Sequence, residues 1–325
     1  MTRILGMGNA LVDIMIRIDS ERIFQEFGLL KGGMRLVDAS FIDRLMSALT
    51  HLPQEKTPGG SAANAINGLA NLGIKTGFIG KVADDDLGKF MKSDMMKNNI
   101  EPVLFQGNAA TGIAVALITP DYERTFAVNL GCAIELSAGD VSRQMFEGYD
   151  IFHIEGFLVQ NKELLVTAMQ MAKTAGAKVS LDLASFDVVQ DNLDFLKEVI
   201  MNYVDIVFAN EEEARSFTGL EPEKALDEIS KMTAYAVVKI GDKGSLLKHG
   251  DETCRIPATE ANIIDTTGAG DLYASGFLYG LAENLPLQTC GNIGALLAGN
   301  VIEVMGAKMD EKRWENIRQL VQNIR

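Results

Sequence analysis

The run Asp265-Thr266-Thr267-Gly268-Ala269-Gly270-Asp271 places two carboxylates, two hydroxyls and two glycines just ahead of an apolar, small-residue stretch, Leu272 to Leu281. Free N–H groups at a helix start attract negative charge, and glycine lets them approach a phosphate closely. Asp271 among those donors would stay ionised and could accept a proton from a substrate hydroxyl. Asp is also an ordinary helix cap, but a cap needs one oxygen, not two acids and two glycines.

Pro58-Gly59-Gly60-Ser61-Ala62-Ala63-Asn64 runs directly into a second helix. The paired glycines admit a ligand to the backbone, Ser61 can cap, and Asn64 offers a donor and an acceptor one turn in. That suits a hydroxyl-rich ligand, and it equally suits a plain turn and capped helix. Asp13 lies on an apolar strand, where a carboxylate is costly unless it bonds to something such as a pair of sugar hydroxyls. Asn210 and Glu213, three apart, form a capping box; they are also hard oxygen ligands that could orient Mg²⁺, directly or through water. Lys239-Ile240-Gly241-Asp242-Lys243-Gly244 reads as a strand entering a tight turn, over which a nucleotide could lie. There is no P-loop and no nucleophile elbow. Gly6-Met7-Gly8 after a strand matches part of a dinucleotide fingerprint, but Leu11 stands where its third glycine should be.

Composition narrows the partners. A formal charge of −14 argues against nucleic acid, so an anionic substrate needs a site lined by N–H groups or local cations. Three scattered cysteines and three scattered histidines give neither a disulfide framework nor a His-based metal site. The apolar start is broken by Asn9 and Asp13, which fits neither a signal peptide nor a membrane span, and makes the cytoplasm the default.

Positioning these residues requires an α/β frame. Apolar runs at 4–7, 77–82, 150–154, 178–182, 205–208 and 235–240 alternate with helical stretches at 61–72, 87–98, 162–175 and 211–219, the pattern of a parallel sheet covered on both faces. Beyond Asp271 the chain reads as helix: 272–281, 287–305 and 311–325. Strands at 10–17 and 31–37 around a short helix, and a hairpin of 111–119 with 124–129 across Pro120-Asp121-Tyr122-Glu123, predict a second, smaller sheet.

With Gly59-Gly60…Asn64, Asn210-x-x-Glu213 and the 265–271 run in this order, the chain resembles the ribokinase-like, or PfkB, sugar and nucleoside kinases over nearly its whole length. The resemblance implies a single α/β domain over 1–325, a ribokinase-like three-layer sandwich with a mostly parallel central sheet and a small β-sheet lid from segments near 10–37 and 103–130. It implies phosphate transfer from ATP to a hydroxymethyl group, with Asp271 as base and the N–H groups of Gly268, Ala269 and Gly270 as anion hole. Asn210 and Glu213 would organise Mg²⁺; Lys239, Gly241, Gly244 and Thr267 would lie on the ATP side; Asp265 and Thr267 resemble a loop that holds a monovalent cation such as K⁺. Gly8 to Ile14, Pro58 to Ser61 and Ile154 to Phe157 look like the adenosine-kinase branch. There Asp13, Gly60 and Asn64 would hold ribose hydroxyls beside Asn9, Gly59 and Ser61, with Phe157 stacking on a base. Thr267 gives the loop a bacterial sugar-kinase look, which keeps fructose or ribose as the alternative acceptor. A NAD-dependent oxidoreductase resting on Gly6-x-Gly8, and a binding protein that kept the fold without activity, are the readings from other classes. Exposed lid strands could pair between subunits as a homodimer.

Overall fold

The computed structural model describes residues 2–121 and 123–324; Tyr122 of the expected hairpin turn and Arg325 of the last expected helix lie outside them. The strands are β1 (Arg3–Met7), β2 (Leu11–Arg17), β3 (Met34–Leu36), β4 (Gln54–Gly59), β5 (Lys75–Val82), β6 (Ile100–Gln106), β7 (Gly112–Ile118), β8 (Arg124–Asn129), β9 (Ile151–Glu155), β10 (Lys178–Asp182), β11 (Ile206–Asn210), β12 (Tyr235–Lys239), β13 (Ser245–His249) and β14 (Glu252–Ile256). The helices are α1 (Arg22–Phe27), α2 (Ala39–Ala48), α3 (Ser61–Asn71), α4 (Asp86–Lys97), α5 (Lys162–Thr174), α6 (Phe186–Asp191), α7 (Leu193–Tyr203), α8 (Glu211–Thr218), α9 (Pro222–Ile229), α10 (Ala269–Ala282), α11 (Leu287–Val301) and α12 (Glu311–Ile324).

Nine strands form one sheet in the order β14-β13-β12-β11-β10-β9-β1-β5-β6. It is parallel from β12 to β6, and the β12-β13-β14 edge is antiparallel. Side chains alternate across a strand, so neighbours in β1 feed opposite cores. Ile4 packs with Phe78, Phe208 and Phe277 beneath α3, α10, α11 and α12. Leu5 and Met7 pack with Phe152 and Leu181 beneath α5, α7, α8 and α9. Burial on both faces explains why these strands read as continuous apolar runs.

The second sheet has the order β3-β8-β7-β2-β4. One face buries Ile14, Ile16, Val115 and Leu117 against Phe24, Phe41 and Leu45 of α1 and α2. The other sets Met15, Ala116 and Ile118 against Met305. Three boundaries differ from expectation. Gln54–Gly59 joins the small sheet as an edge strand; its polar residues give no alternation to read, and backbone pairing with β2 holds it. Residues 103–106 instead continue β6, which pairs with β5 in the large sheet. The helix expected over 287–305 ends at Val301, after which the chain turns back so that Gly306 N–H reaches Asp265. Following Gly6-Met7-Gly8 the chain enters β2 rather than a helix, so the dinucleotide fingerprint has no structural counterpart. Among the described residues no helix is long and apolar enough to cross a membrane.

Candidate active site

Four neighbouring parallel strands each end in a polar residue: Glu155 on β9, Asp182 on β10, Asn210 on β11 and Lys239 on β12. The carboxyl edge of an open parallel sheet is where α/β proteins bind ligands. Against this edge lies a cavity of about 890 Å³, whose wall includes Ser61, Phe157, Asn210, Glu213, Gly241, Gly244, Gly270 and Asp271 as well as Asp182 and Lys239.

Asp271 sits in the first turn of α10. Gly268 precedes the helix with φ 78° and no side chain caps it; a Cβ on Gly268 would come within 2.6 Å of the Ala307 Cβ, so the tight approach requires glycine there. Of the three expected anion donors, the Ala269 N–H already bonds the Thr266 carbonyl at 3.2 Å and would have to release it to serve an anion. The Asp271 carboxylate accepts from Ser61 Oγ at 2.7 Å and from Asn64 Nδ2 at 2.9 Å. Burial pushes its pKa up to about 6, the two hydrogen bonds pull it back, nearby Asp182 raises it and Lys239 lowers it. It is therefore ionised at neutral pH and close enough to neutrality to exchange a proton.

The start of α3 is fixed from below by Glu155. This fully buried carboxylate accepts from Asn9 N–H and Asn9 Nδ2, both at 2.8 Å, and from Ala62 N–H at 2.9 Å. Burial pushes it up to about 7 against those bonds. Asp13 pairs with Thr57 in the β2–β4 register, and its carboxylate lies diagonally against Gly59, so closely that a Cβ on Gly59 would be 2.3 Å from Oδ1. Burial, then the charge of Asp271, raises Asp13 to about 7, while Arg124 and Lys308 lower it. Asn9, Asp13, Gly59, Gly60 and Asn64 do not line the large cavity; they gather at β2, β4 and the start of α3, joined to it through Asp271.

On the sheet side, Lys239 Nζ pairs with Asp182 Oδ2 at 2.9 Å. Asn210 and Glu213 form the capping box of α8: Glu213 N–H donates to Asn210 Oδ1, and the Glu213 carboxylate accepts from Asn210 N–H and Nδ2. Burial and the neighbouring Asp182 raise Glu213 to about 7. No cage of three or more His, Cys, Asp or Glu ligands exists among the described residues. The donor set nevertheless suits Mg²⁺, which keeps several waters and takes only one or two carboxylates beside substrate phosphates. Asp182, Glu211, Glu212, Glu213, Asp242, Glu260 and Asp271 line the cavity with Lys239 as the cation among them, a surplus of negative charge that a divalent ion would offset.

Asp265 and Thr267 do come together, but around an arginine. Arg124, at the start of β8, places Nη2 2.5 Å from Asp265 Oδ2 and Nη1 3.0 Å from Thr267 Oγ1. The Asp265 carboxylate also accepts the Thr267 N–H on Oδ1 and the Gly306 N–H on Oδ2. A monovalent cation fits poorly at a carboxylate whose charge is already matched. Asp182 and Arg124 help shape the site without belonging to any of the quoted motifs, and Glu155 lies within the 154–157 stretch without having been given a role; for the two carboxylates the available signal is a lone acid closing an apolar run.

A family model described as pfkB family carbohydrate kinase matches residues 48–313. A probable sugar kinase from Rhizobium etli CFN 42 superposes with a TM-score of 0.89 at 31% identity, covering 98% of each chain. Adenosine kinase from Sinorhizobium meliloti gives 0.88 at 32% identity, over 98% of this chain and 99% of that one. The 5-dehydro-2-deoxygluconokinase of Geobacillus thermodenitrificans is 28% identical over 315 residues, covering 85% of this chain and 89% of its own.

Proposed function

We propose, from the premise that this chain belongs to the pfkB family of carbohydrate kinases and is a phosphotransferase acting on an alcohol group, that it moves the γ-phosphoryl of ATP onto the hydroxymethyl group of a nucleoside, with adenosine favoured. Family membership sets aside the oxidoreductase reading. The observation that carries the proposal is the Asp271 carboxylate, held by Ser61 and Asn64 at the junction between the large cavity and the Asp13–Gly59 pair.

In this reading Asp271 accepts the proton of the attacking hydroxyl, since a base must lie within hydrogen-bond reach of it. Asp13 and Asn9 accept and donate to acceptor hydroxyls, with Gly59 and Gly60 leaving room for them. Asn64 and Ser61 orient the base rather than titrate. N–H groups of Gly268, Ala269 and Gly270 stabilise the transferring group, where positioning and charge supply most of the catalysis. Mg²⁺, when bound, neutralises developing charge on the phosphates. Asn210 and Glu213, with Asp182 beside them, would hold its waters, and Lys239, Gly241 and Gly244 would line the nucleotide's bed.

The preference for adenosine is supported by the similarity to the Sinorhizobium enzyme and by Phe157, a half-buried aromatic on the cavity wall that suits a base. A free sugar or sugar acid is the second reading, favoured by the sugar-kinase and deoxygluconokinase relatives. ADP release measured across adenosine, other nucleosides, fructose, ribose and 5-dehydro-2-deoxygluconate separates the two. Adenosine turnover at the highest kcat/KM is expected, and a sugar outperforming every nucleoside would reverse the assignment. The reading implies a small-molecule acceptor rather than nucleic acid, and the ATP-containing cytoplasm. Met34 and Leu36, exposed on β3 at the edge of the small sheet, support a homodimer through that edge, which the mass measured by analytical ultracentrifugation would test.

A further inference from the structure

We propose that the guanidinium of Arg124 is a built-in cation for the anion loop: it takes the place expected for a dissolved monovalent ion at Asp265 and Thr267, so the loop is set by the lid and not by K⁺. The inference rests on the kinase reading only for its catalytic consequence.

The geometry joins three segments at one side chain. From β8 of the small sheet, Arg124 reaches Asp265 at 2.5 Å and Thr267 Oγ1 at 3.0 Å, both in the loop that leads into α10. The same Nη2 lies 2.7 Å from Met305 Sδ, in the turn after α11. That turn also supplies the Gly306 N–H to Asp265 at 2.6 Å and the Ala307 side chain against which Gly268 packs. Ile264 and Asp265 N–H groups donate to the Ile302 carbonyl, closing the loop onto the end of α11. The side chains of Arg124 and Asp265 are 8% and 3% exposed, so water screens their pairing little.

Two features indicate a cation's role rather than incidental packing. Both Asp265 oxygens are engaged, Oδ1 by Thr267 N–H and Oδ2 by Gly306 N–H and Arg124, so a second positive ion would meet like charge at the same carboxylate. Arg124 Nε is buried without a hydrogen-bond partner, which shows that charge and the two terminal nitrogens hold the side chain there, not a complete set of bonds. Arginine keeps its proton throughout the accessible pH range. Because the cation is tethered to the small sheet, any displacement of that sheet removes it from Asp265 and Thr267. An untethered ion would not link the two.

The test compares thermal unfolding of the ligand-free protein in KCl, NaCl and choline chloride at equal ionic strength, which needs no substrate. Wild type should unfold within about 1 °C in all three salts, whereas an ion bound well above its Kd raises Tm by about 2 °C or more. Arg124→Met should unfold lower in choline and recover part of the loss in K⁺. Arg124→Lys, which keeps a tethered charge, should fold and stay indifferent to the salt even if the Met variant does not fold. K⁺-selective stabilisation of wild type or of Arg124→Lys overturns the proposal, as does an Arg124→Met protein that is neither destabilised nor salt-responsive. In turnover, wild type should keep its rate within about twofold when K⁺ is exchanged for choline. Absence of turnover with every acceptor would refute the kinase assignment and leave the unfolding comparison to decide this one.

Discussion

Ser61 Oγ donates to Asp271 Oδ1 at 2.7 Å across 210 residues of chain, and Asn64, one turn further along α3, donates to the other oxygen at 2.9 Å. The pairing holds because α3 and α10 pack side by side on one face of the large sheet, where Ser275 Oγ also bonds the Ala65 carbonyl at 2.8 Å. Two neutral donors fix the carboxylate without neutralising it, which a general base requires.

Replacing Asp271 with Asn keeps the shape and removes the proton acceptor. Turnover should fall by about 10²–10⁴-fold, while acceptor binding by calorimetry stays near wild type. Retention of kcat within about tenfold of wild type would refute the base assignment.

Glu155 should act as a positioning residue, since its bonds to Asn9 and Ala62 set the start of α3 and with it Ser61 and Asn64. In Glu155→Gln, kcat should drop by about ten- to a hundredfold through misplacement of Asp271. Stability supplies a second readout. The unfolded chain releases this proton near 4.5 and the folded chain near 7, so between those values the folded state binds more protons. Its contribution is complete below pH 4.5 and is lost as pH rises through 7, by about 3 kcal/mol in total. Wild type should therefore lose ground to Glu155→Gln as urea unfolding is repeated from pH 5 to 8.5; parallel curves would disprove the linkage.

Chelation of divalent ions should stop turnover, and Glu213→Gln should raise the Mg²⁺ concentration for half-maximal rate by about 10–100-fold, the usual effect of a group that orients a metal's shell. Undiminished activity without any divalent ion would contradict the assignment. A Glu213→Gln enzyme with normal Mg²⁺ dependence would reduce Asn210–Glu213 to its capping box.

Gly59→Ala offers a more local probe. Its Cβ would meet the Asp13 carboxylate at 2.3–2.5 Å, so Asp13 must swing from its place. KM for the acceptor should rise by about tenfold or more, with KM for ATP unchanged; a parallel rise in both would mean that the strand pair, not the acceptor contact, had failed.

The 265–271 loop is legible in the sequence because its chemistry is contiguous: both acids, both glycines and the start of the helix they open lie within seven residues. The large sheet is legible because burial on both faces writes each strand as an unbroken apolar run. Glu155 and Asp182 are not, since each is a single carboxylate closing such a run, and the strand order β9-β10-β11-β12 that gathers them is a property of the sheet. Arg124 lies at the first residue of a strand that reads only as half of a hairpin, and its partner Asp265 is 141 residues away. β4 is hidden for another reason: Gln54, Glu55 and Lys56 are exposed on an edge, so no hydrophobic face records it.

The pH profile of kcat/KM gives the sharpest view of Asp271. Its carboxyl, held at about 6, must be ionised to accept a proton, so activity should rise with pH through a limb near 6 and level off above it. Asp182 raises this value and Lys239 lowers it, while Lys239 and Asp182 bind one another at 2.9 Å. Asp182→Asn removes a like charge and frees the ammonium to act on Asp271, so the limb should move to lower pH. Lys239→Met removes the stabilising cation and should move it higher. Asp13 titrates near 7 beside the same carboxylate, so the limb belongs to the interacting pair rather than to one acid. Asp13→Asn should then leave a single, steeper-resolved step at lower pH. Purely structural roles for Asp182 and Lys239 would change the height of the profile and leave its midpoint in place, whereas opposite shifts in the two variants are what a shared electrostatic environment around the base demands.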